Sequence, residues 1–235
     1  MGLTPPGGTP LNDADRVRMR GIGLFAPLPP DTLAALLAGA WAIAPAPFES
    51  LFEQEQQVGA LFVVMDGTIG TLAALGPQES CLVALLGPGQ VVGEGGLFDT
   101  GCMPLAARAI TPARLVAIPA AAVLACLDTD APFRRRMLAF LSARLRVLVR
   151  QISQLKLMSA PQRLGLFLLG LTEPQDGPQT VQLMCDRRII AGLLGMTPEC
   201  LSRSLRSLQA LGVRNQGKRG IVVEDREQLS AYCQP

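Results

Sequence analysis

Residues 186–206 read Asp186-Arg187-Arg188-Ile189-Ile190-Ala191-Gly192-Leu193-Leu194-Gly195-Met196-Thr197-Pro198-Glu199-Cys200-Leu201-Ser202-Arg203-Ser204-Leu205-Arg206, and this stretch decides how the C-terminal part of the chain folds. Two helix-compatible runs meet at Gly195, which permits a left-handed turn, and Thr197-Pro198 supplies an N-cap and a first helical residue for the second run. Ala191 is small where two such helices cross closely. Leu201, Leu205 and Leu208 recur on one side of the second run, which turns Glu199, Ser202, Arg203 and Arg206 outward. This is the helix-turn-helix form, whose second helix enters the major groove of DNA by its N-terminal end. There an arginine donates to guanine O6 and N7 together, a glutamate accepts from cytosine N4, and a serine tolerates several bases. Glu199, Ser202 and Arg203 are therefore the candidate base readers. A merely solvated helix face is the plain alternative; the matched turn and the basic surroundings weigh against it.

Beyond Gly212, the segment Val213 to Val223 reads strand, turn, strand, with Asn215-Gln216-Gly217-Lys218-Arg219-Gly220 at the tip, the form of a wing laid on a phosphate backbone. Thr197, Arg206, Lys218 and Arg219 are the candidate backbone contacts. Upstream, Ser159-Ala160-Pro161 opens a helix to about Leu171, and Thr180 to Met184 reads as a short strand. From Phe133 to about Met158 there is neither proline nor glycine, and Leu138, Leu141, Leu145, Leu148, Ile152 and Leu155 fall at alternating steps of three and four. Such a seam predicts a parallel homodimer, with Arg134, Arg135, Arg136, Arg144, Arg146, Arg150 and Lys156 on the remaining face. A helix packed on its own domain is the alternative.

Between Trp41 and Ile118, short apolar runs (Ala60 to Met65, Ile69 to Leu75, Leu82 to Leu86, Val91-Val92) alternate with Gly, Pro and Asp, the punctuation of an all-β barrel or roll. A short helix is expected from Pro29-Pro30-Asp31 through Leu33, Leu36 and Leu37. Met1 to Asn12 is rich in Pro, Gly and Thr and is expected to be mobile. The reading is thus an α+β chain: a flexible tail over residues 1–20, a β-roll domain over 21–130, a dimerisation helix over 131–159 and a C-terminal winged helix-turn-helix over 160–235.

A length of 235 residues allows two folded domains, and 49% hydrophobic against 17% charged residues is far from a disordered composition. The most apolar stretch, Leu33 to Ala44, is too short to span a membrane, and no basic segment precedes a hydrophobic N-terminus, so a cytoplasmic protein without membrane attachment is expected. The six cysteines are scattered with no C-x-x-C pair and read as free thiols. No histidine is present, which removes the commonest metal ligand and the usual general base. With no carboxylate pair at catalytic spacing either, an enzyme built on a β-roll or cupin-like barrel is disfavoured. The net charge of +2 hides a segregation: residues 1–130 carry 5 Lys/Arg against 12 Asp/Glu, whereas residues 131–219 carry 15 against 4. An acidic half joined to a basic half is what a phosphate-binding module attached to a regulatory domain shows.

In this order the elements resemble the CRP/FNR superfamily of bacterial regulators, over residues 20–230 or so. Leu61-Phe62-Val63-Val64-Met65-Asp66-Gly67-Thr68-Ile69 and Leu86-Gly87-Pro88-Gly89-Gln90-Val91-Val92-Gly93-Glu94-Gly95-Gly96-Leu97-Phe98 match its roll. Glu199-x-x-Ser202-Arg203 is similar to the recognition helix of the FNR branch, where these residue types read a TTGAT-type half-site. The resemblance implies that the β-roll senses a signal, that the long helix pairs two copies on a palindromic site, and that the winged domain holds double-stranded DNA, with RNA polymerase as a further partner.

Cyclic-nucleotide members of the superfamily use Gly-Glu followed by Arg-Ser. Here Gly93-Glu94 remains, but the second place reads Met103-Pro104-Leu105, with Arg108 further along, and a buried phosphate without a cation is costly, so cyclic AMP is disfavoured. Oxygen-sensing members hold an iron–sulfur cluster on N-terminal cysteines and one roll cysteine. This chain has none before Cys81, and the roll place corresponds to Ala117, so that cluster is disfavoured too. Members resembling haem-linked nitric-oxide regulators pair such a recognition helix with no cluster; without histidine, haem would need a cysteine, a methionine or the N-terminus. A small organic effector is a second option, and a ligand-free regulator tuned by thiol oxidation, as in FixK-type members, a third. Gly93 and Glu94 mark the expected effector pocket. Cys200 is the candidate redox switch: the recognition helix's N-terminus favours its thiolate and the adjacent Glu199 opposes it, while a buried packing thiol is the alternative.

Overall fold

The structure, a computed structural model, describes residues 8–74, 80–98, 101–175, 177–217 and 219–234. The chain forms two compact units, Met1–Arg144 and Leu145–Pro235, and the division falls inside the long helix rather than at either end of it.

The first unit runs β1 (Thr9–Pro10), α1 (Asp13–Arg20), α2 (Pro30–Leu36), β2 (Trp41–Ile43), β3 (Ser50–Phe52), β4 (Ala60–Asp66), β5 (Ile69–Ala74), β6 (Ser80–Leu86), β7 (Val91–Val92), β8 (Ala106–Ala109), β9 (Arg114–Pro119), α3 (Ala120–Thr129) and the start of α4 (Ala131–Leu157). Two antiparallel sheets, ordered β1-β2-β9-β4-β7 and β3-β8-β5-β6, face each other as a roll. Trp41, Phe52, Phe62, Val64, Ile69, Leu86, Val92 and Leu115 fill its interior. The unbroken apolar run of β4 follows from burial on both faces: Phe62 and Val64 point inward, whereas Leu61, Val63 and Met65 meet Leu33, Leu36, Val123, Phe133 and Met137 of the covering helices. Gly67 makes the β4–β5 turn with φ +80°, and a Cβ there would strike the Pro112 carbonyl. Leu75, the expected end of the β5 run, lies outside the described residues.

Residues 13–20 depart from the expected tail, because α1 is held at both ends of its length. Asn12 and Asp15 form a reciprocal capping box, and Met19 is fully buried. Asp15, itself buried, accepts from Arg114 Nε at 3.1 Å and Nη2 at 2.6 Å, and that guanidinium holds its carboxyl below the usual range. Arg18 adds an exposed pair to Asp66 at 2.8 Å. Residues 1–7 of the expected tail lie outside the described residues.

The second unit continues from α4 through α5 (Ala160–Leu169), β10 (Gln179–Gln182), α6 (Arg187–Leu193), α7 (Pro198–Leu208), β11 (Val213–Gln216), β12 (Gly220–Val223) and α8 (Arg226–Cys233). Ser159 and Gln162 cap α5 reciprocally, with Pro161 in its first turn. The strands form one antiparallel sheet, β10-β12-β11, and β11 with β12 is the expected hairpin. Leu164, Leu168, Ile190, Leu201, Leu205, Leu208, Ile221, Val223 and Leu229 are among the buried apolar residues of this unit. Among the described residues, no helix is long and apolar enough to cross a membrane.

Candidate nucleic-acid interface

Helices α6 and α7 meet as the sequence predicts. Ala191 is fully buried at their junction, Gly195 turns the chain with φ +62°, and the Thr197 hydroxyl accepts the Cys200 amide at 3.2 Å to start α7. Leu201, Ser204, Leu205 and Leu208 are buried, so helical periodicity turns Glu199, Ser202, Arg203 and Arg206 to the surface. The structure therefore brings the three predicted base readers together on one exposed face. Glu199 lies in the first turn, where its own backbone N–H, then the Thr197 hydroxyl, Arg203 and Arg188 hold its carboxyl below the usual range. Its charged, accepting form is favoured there. Ser202 donates to the Pro198 carbonyl at 2.9 Å and so offers its lone pairs outward, while the guanidinium of Arg203 has no hydrogen-bond or ion-pair partner among the described residues.

The predicted backbone contacts separate on inspection. Arg206 is exposed and unpaired among the described residues. Thr197 is occupied in capping α7 and holding Glu199, so its hydroxyl serves the helix first. Arg219 pairs with Asp186 at 2.7 Å, an exposed contact weak enough for a phosphate to displace. Lys218 lies outside the described residues. Cys200 is half-buried, between the solvated and packed positions expected of it.

Two arginines were missed by sequence reasoning. Arg188 is exposed on α6 near Glu199, and the signal for it was its place in the first turn of the helix that crosses the DNA backbone in this motif. Arg163 of α5 donates from Nη1 to Met158 O at 2.8 Å, from Nε to Leu194 O at 3.0 Å and from Nη2 to Gly195 O at 3.3 Å. One planar cation thus ties the end of α4 to the turn that aims α7. Nothing in local spacing announces that contact.

Along α4, the predicted seam splits. Leu138, Leu145, Leu148, Ile152 and Leu155 are at least 36% exposed, with Leu155 also lying over the Gly195 turn, whereas Leu141 is half-buried and packs with Phe140 against the core of the first unit. On the roll, Glu94 is half-buried and receives Arg144 Nε at 3.5 Å; loss of solvent outweighs the arginine and pushes its carboxyl above the usual range. At the place expected to cradle a cyclic phosphate, Met103 is fully buried with its thioether packed on Gly96 and Gly93, and the Pro104 ring lies on Gly95.

An antiparallel roll joined through a long helix to a winged helix-turn-helix with an exposed basic reading face defines a DNA-binding regulator. Residues 46–130 match the cyclic nucleotide-binding domain family and residues 162–232 the Crp-like helix-turn-helix domain family. The chain is 30% identical over 176 residues to the cyclic AMP receptor protein of Thermus thermophilus, covering 74% of this chain and 80% of that protein. Among solved structures it is similar to the c-di-GMP responsive global regulator CLP of Xanthomonas campestris, with 27% identity, a TM-score of 0.68 and 83% and 99% of the two chains covered. It shares its fold with FixK2 of Bradyrhizobium japonicum at a TM-score of 0.73, with 23% identity and 83% and 98% coverage. The chain belongs to the CRP/FNR superfamily and is a transcription regulator of that type.

Proposed function

We propose that the chain is a cytoplasmic, non-enzymatic regulator that binds a palindromic FNR-type site as a homodimer, with the β-roll receiving the controlling signal and RNA polymerase as its working partner. The observation that carries this reading is the first turn and a half of α7, where a carboxylate, a serine and a guanidinium unpaired among the described residues stand on one exposed face. Glu199 accepts from a cytosine N4 and Arg203 donates bidentately to a guanine, while Arg206 and Arg188 take phosphates. Arg219 and Lys218 extend the backbone contact through the wing. The exposed apolar face of α4 supports pairing through Leu138, Leu145, Leu148, Ile152 and Leu155, with Leu141 shared between that seam and the roll. The working division is a roll over 21–130, a pairing helix over 131–159 and a winged domain over 160–235, preceded by residues 1–20.

The packing of Met103 and Pro104 on Gly93 to Gly96 supports an effector other than a cyclic nucleotide. An absorption spectrum of the purified protein separates a haem-linked roll, which gives a Soret band, from one that takes an organic effector or answers through Cys200. The functional reading itself is tested by mobility shift on a duplex carrying two inverted TTGAT half-sites. Saturable retardation that a scrambled duplex does not compete supports it; equal affinity for both duplexes at physiological salt overturns it.

A further inference from the structure

A second site in the roll lies away from Gly93-Glu94. Between the edges of the two sheets opens a cleft of about 500 Å³, a volume suited to a small organic molecule. Trp41, Ile43, Val58 and Phe62 form its apolar wall, and Glu49 and Gln57 stand among its polar residues. Two independent features converge on it.

The first is an indole left without a partner. Trp41 is 8% exposed, lines the cleft, and its Nε1–H is buried with no hydrogen-bond acceptor among the described residues. A buried donor in that condition costs free energy that an acceptor brought by an occupant returns. The second is backbone strain. Phe48 (φ 67°) and Glu55 (φ 63°) are the non-glycine residues with left-handed backbone among the described residues, and both sit in turns that contribute cleft residues, beside Glu49 and Gln56 respectively. Each is pinned by a pair of backbone hydrogen bonds: Phe48 N–H to Ala109 O (2.7 Å) with Ala109 N–H to Glu49 O (2.9 Å), and Glu55 N–H to Met103 O (2.8 Å) with Met103 N–H to Gln56 O (3.0 Å). Strain of this kind, held in place by surrounding structure, gathers at ligand clamps. Phe48 is also 64% exposed, an aromatic ring left in solvent next to the rim.

The lining sets the chemistry of the occupant. Glu49 is the ionisable side chain among the lining residues, and no cation joins it, so an anion is repelled rather than held. Among the described residues, no cysteine, methionine or histidine lines the cleft to ligate a haem iron. We propose that this cleft is an effector site for a neutral, largely apolar small molecule whose carbonyl or similar acceptor takes the Trp41 N–H, with a slight turn of the indole toward it. The proposal rests on reading the roll as the sensing half, and its test is read without DNA, so failure of either reading is seen separately.

Trp41 is the single tryptophan of the chain, so its emission reports the cleft directly. The probe is prodan, a neutral naphthyl ketone, followed by the blue shift of its emission and by energy transfer from Trp41. Displacement by 2-acetylnaphthalene, by 2-ethylnaphthalene, which lacks the acceptor, and by 2-naphthoate ranks the three chemistries. The ketone should compete best, the ethyl compound about five- to tenfold more weakly for want of one neutral hydrogen bond, and the carboxylate more weakly than the ketone. Val58→Phe at the half-buried wall should abolish prodan binding with the circular dichroism spectrum retained, and Trp41→Phe should bring the ketone down to the affinity of the ethyl compound. Absence of saturable binding, binding unaffected by Val58→Phe, or equal affinities of the ketone and the ethyl compound in wild type would each overturn the assignment; the last comparison needs no variant to fold.

Discussion

Replacing Ile152 by aspartate isolates the pairing seam from the fold of the single chain. Ile152 is 53% exposed, and its seam neighbours Leu148 and Leu155 are 36% and 52% exposed, so the second unit tolerates a polar group there. Fully burying an isoleucine is worth about 1.5–3 kcal/mol. Half of that area remains to be covered, which gives roughly 1 kcal/mol per chain, or roughly 2 for two chains. The substitution also sets a carboxylate from each helix into an apolar seam, at several kcal/mol unless a cation meets it. The sum, about 5 kcal/mol or more, raises the dimer dissociation constant by over a thousandfold, about 1.4 kcal/mol counting as tenfold. Sedimentation velocity at micromolar protein should then show dimer for wild type and monomer for Ile152→Asp, with matching thermal melts of the winged unit. On DNA, the variant should keep its affinity for a single half-site and lose the gain that wild type shows on the palindrome. An unchanged dimer would remove this face from the interface, and a wild type that stays monomeric at high concentration would sink the seam altogether.

Arg203→Ala should lose about 1–3 kcal/mol on the cognate site and relax discrimination at one base pair, whereas Arg206→Ala should weaken all duplexes alike and lower the salt slope by about one; identical profiles from the two would refute the division of roles. Arg163→Lys should fail to restore what Arg163→Ala loses in DNA affinity, because one ammonium cannot span the Met158, Leu194 and Gly195 carbonyls, and full activity of the lysine variant in a mobility shift would show that charge alone suffices there. Glu94 has its pKa raised in the folded chain, chiefly by burial, so its contribution to stability is complete below the ordinary glutamate value and is lost as pH rises through the folded one. Urea midpoints of Glu94→Gln and wild type should therefore agree near pH 4 and diverge in favour of the variant toward pH 7, and a wild type that gains on the variant with rising pH would reverse the sign. Mild peroxide should reduce DNA affinity in wild type and not in Cys200→Ser; equal sensitivity of both, or of neither, takes Cys200 out of the reckoning.

The reading face was legible because its causes are local. Gly195 needs a left-handed turn, Thr197-Pro198 starts a helix, and the leucine spacing settles which side of α7 meets solvent, all within 14 residues of chain. The roll was legible for a similar reason, since Asp66-Gly67 and Gly87-Pro88-Gly89 punctuate its strands. Where the reading misled, the deciding partner was distant. A proline- and glycine-rich beginning suggested a tail through residue 20, but Asp15 finds Arg114, 99 residues away, and that pair together with Met19 holds α1 to the roll. Spacing in α4 put Leu141 in the seam without announcing that it also packs on the first unit, because a pattern of threes and fours does not say which apolar neighbours a leucine meets. With Phe133, Met137 and Phe140 also facing the first unit, the early turns of the helix carry two apolar faces at once, and Leu141 lies on their border.

The same distinction separates the two functional regions. Specificity for DNA needs side chains that a single helix can present, so substituting along one face of α7 reads it out residue by residue. A binding cleft needs surfaces that close around an occupant. Here they come from Trp41 on β2, from the turn at Phe48 and from the turn at Glu55, which backbone hydrogen bonds to Ala109 and Met103 hold in place. None of those residues has a telling neighbour in sequence, and phenylalanine and glutamate are ordinary turn-flanking choices until their φ angles are known. Glycine at position 48 would adopt that backbone without strain, and its absence is the informative feature: the position keeps an exposed aromatic side chain at a conformational cost of about 1 kcal/mol or more. Phe48→Gly should accordingly raise the thermal stability of the roll while weakening prodan capture, a pairing of opposite effects that a purely structural turn does not produce. If stability and capture instead moved together, Phe48 would be only a turn residue, and the case for the cleft would rest on the Trp41 N–H alone.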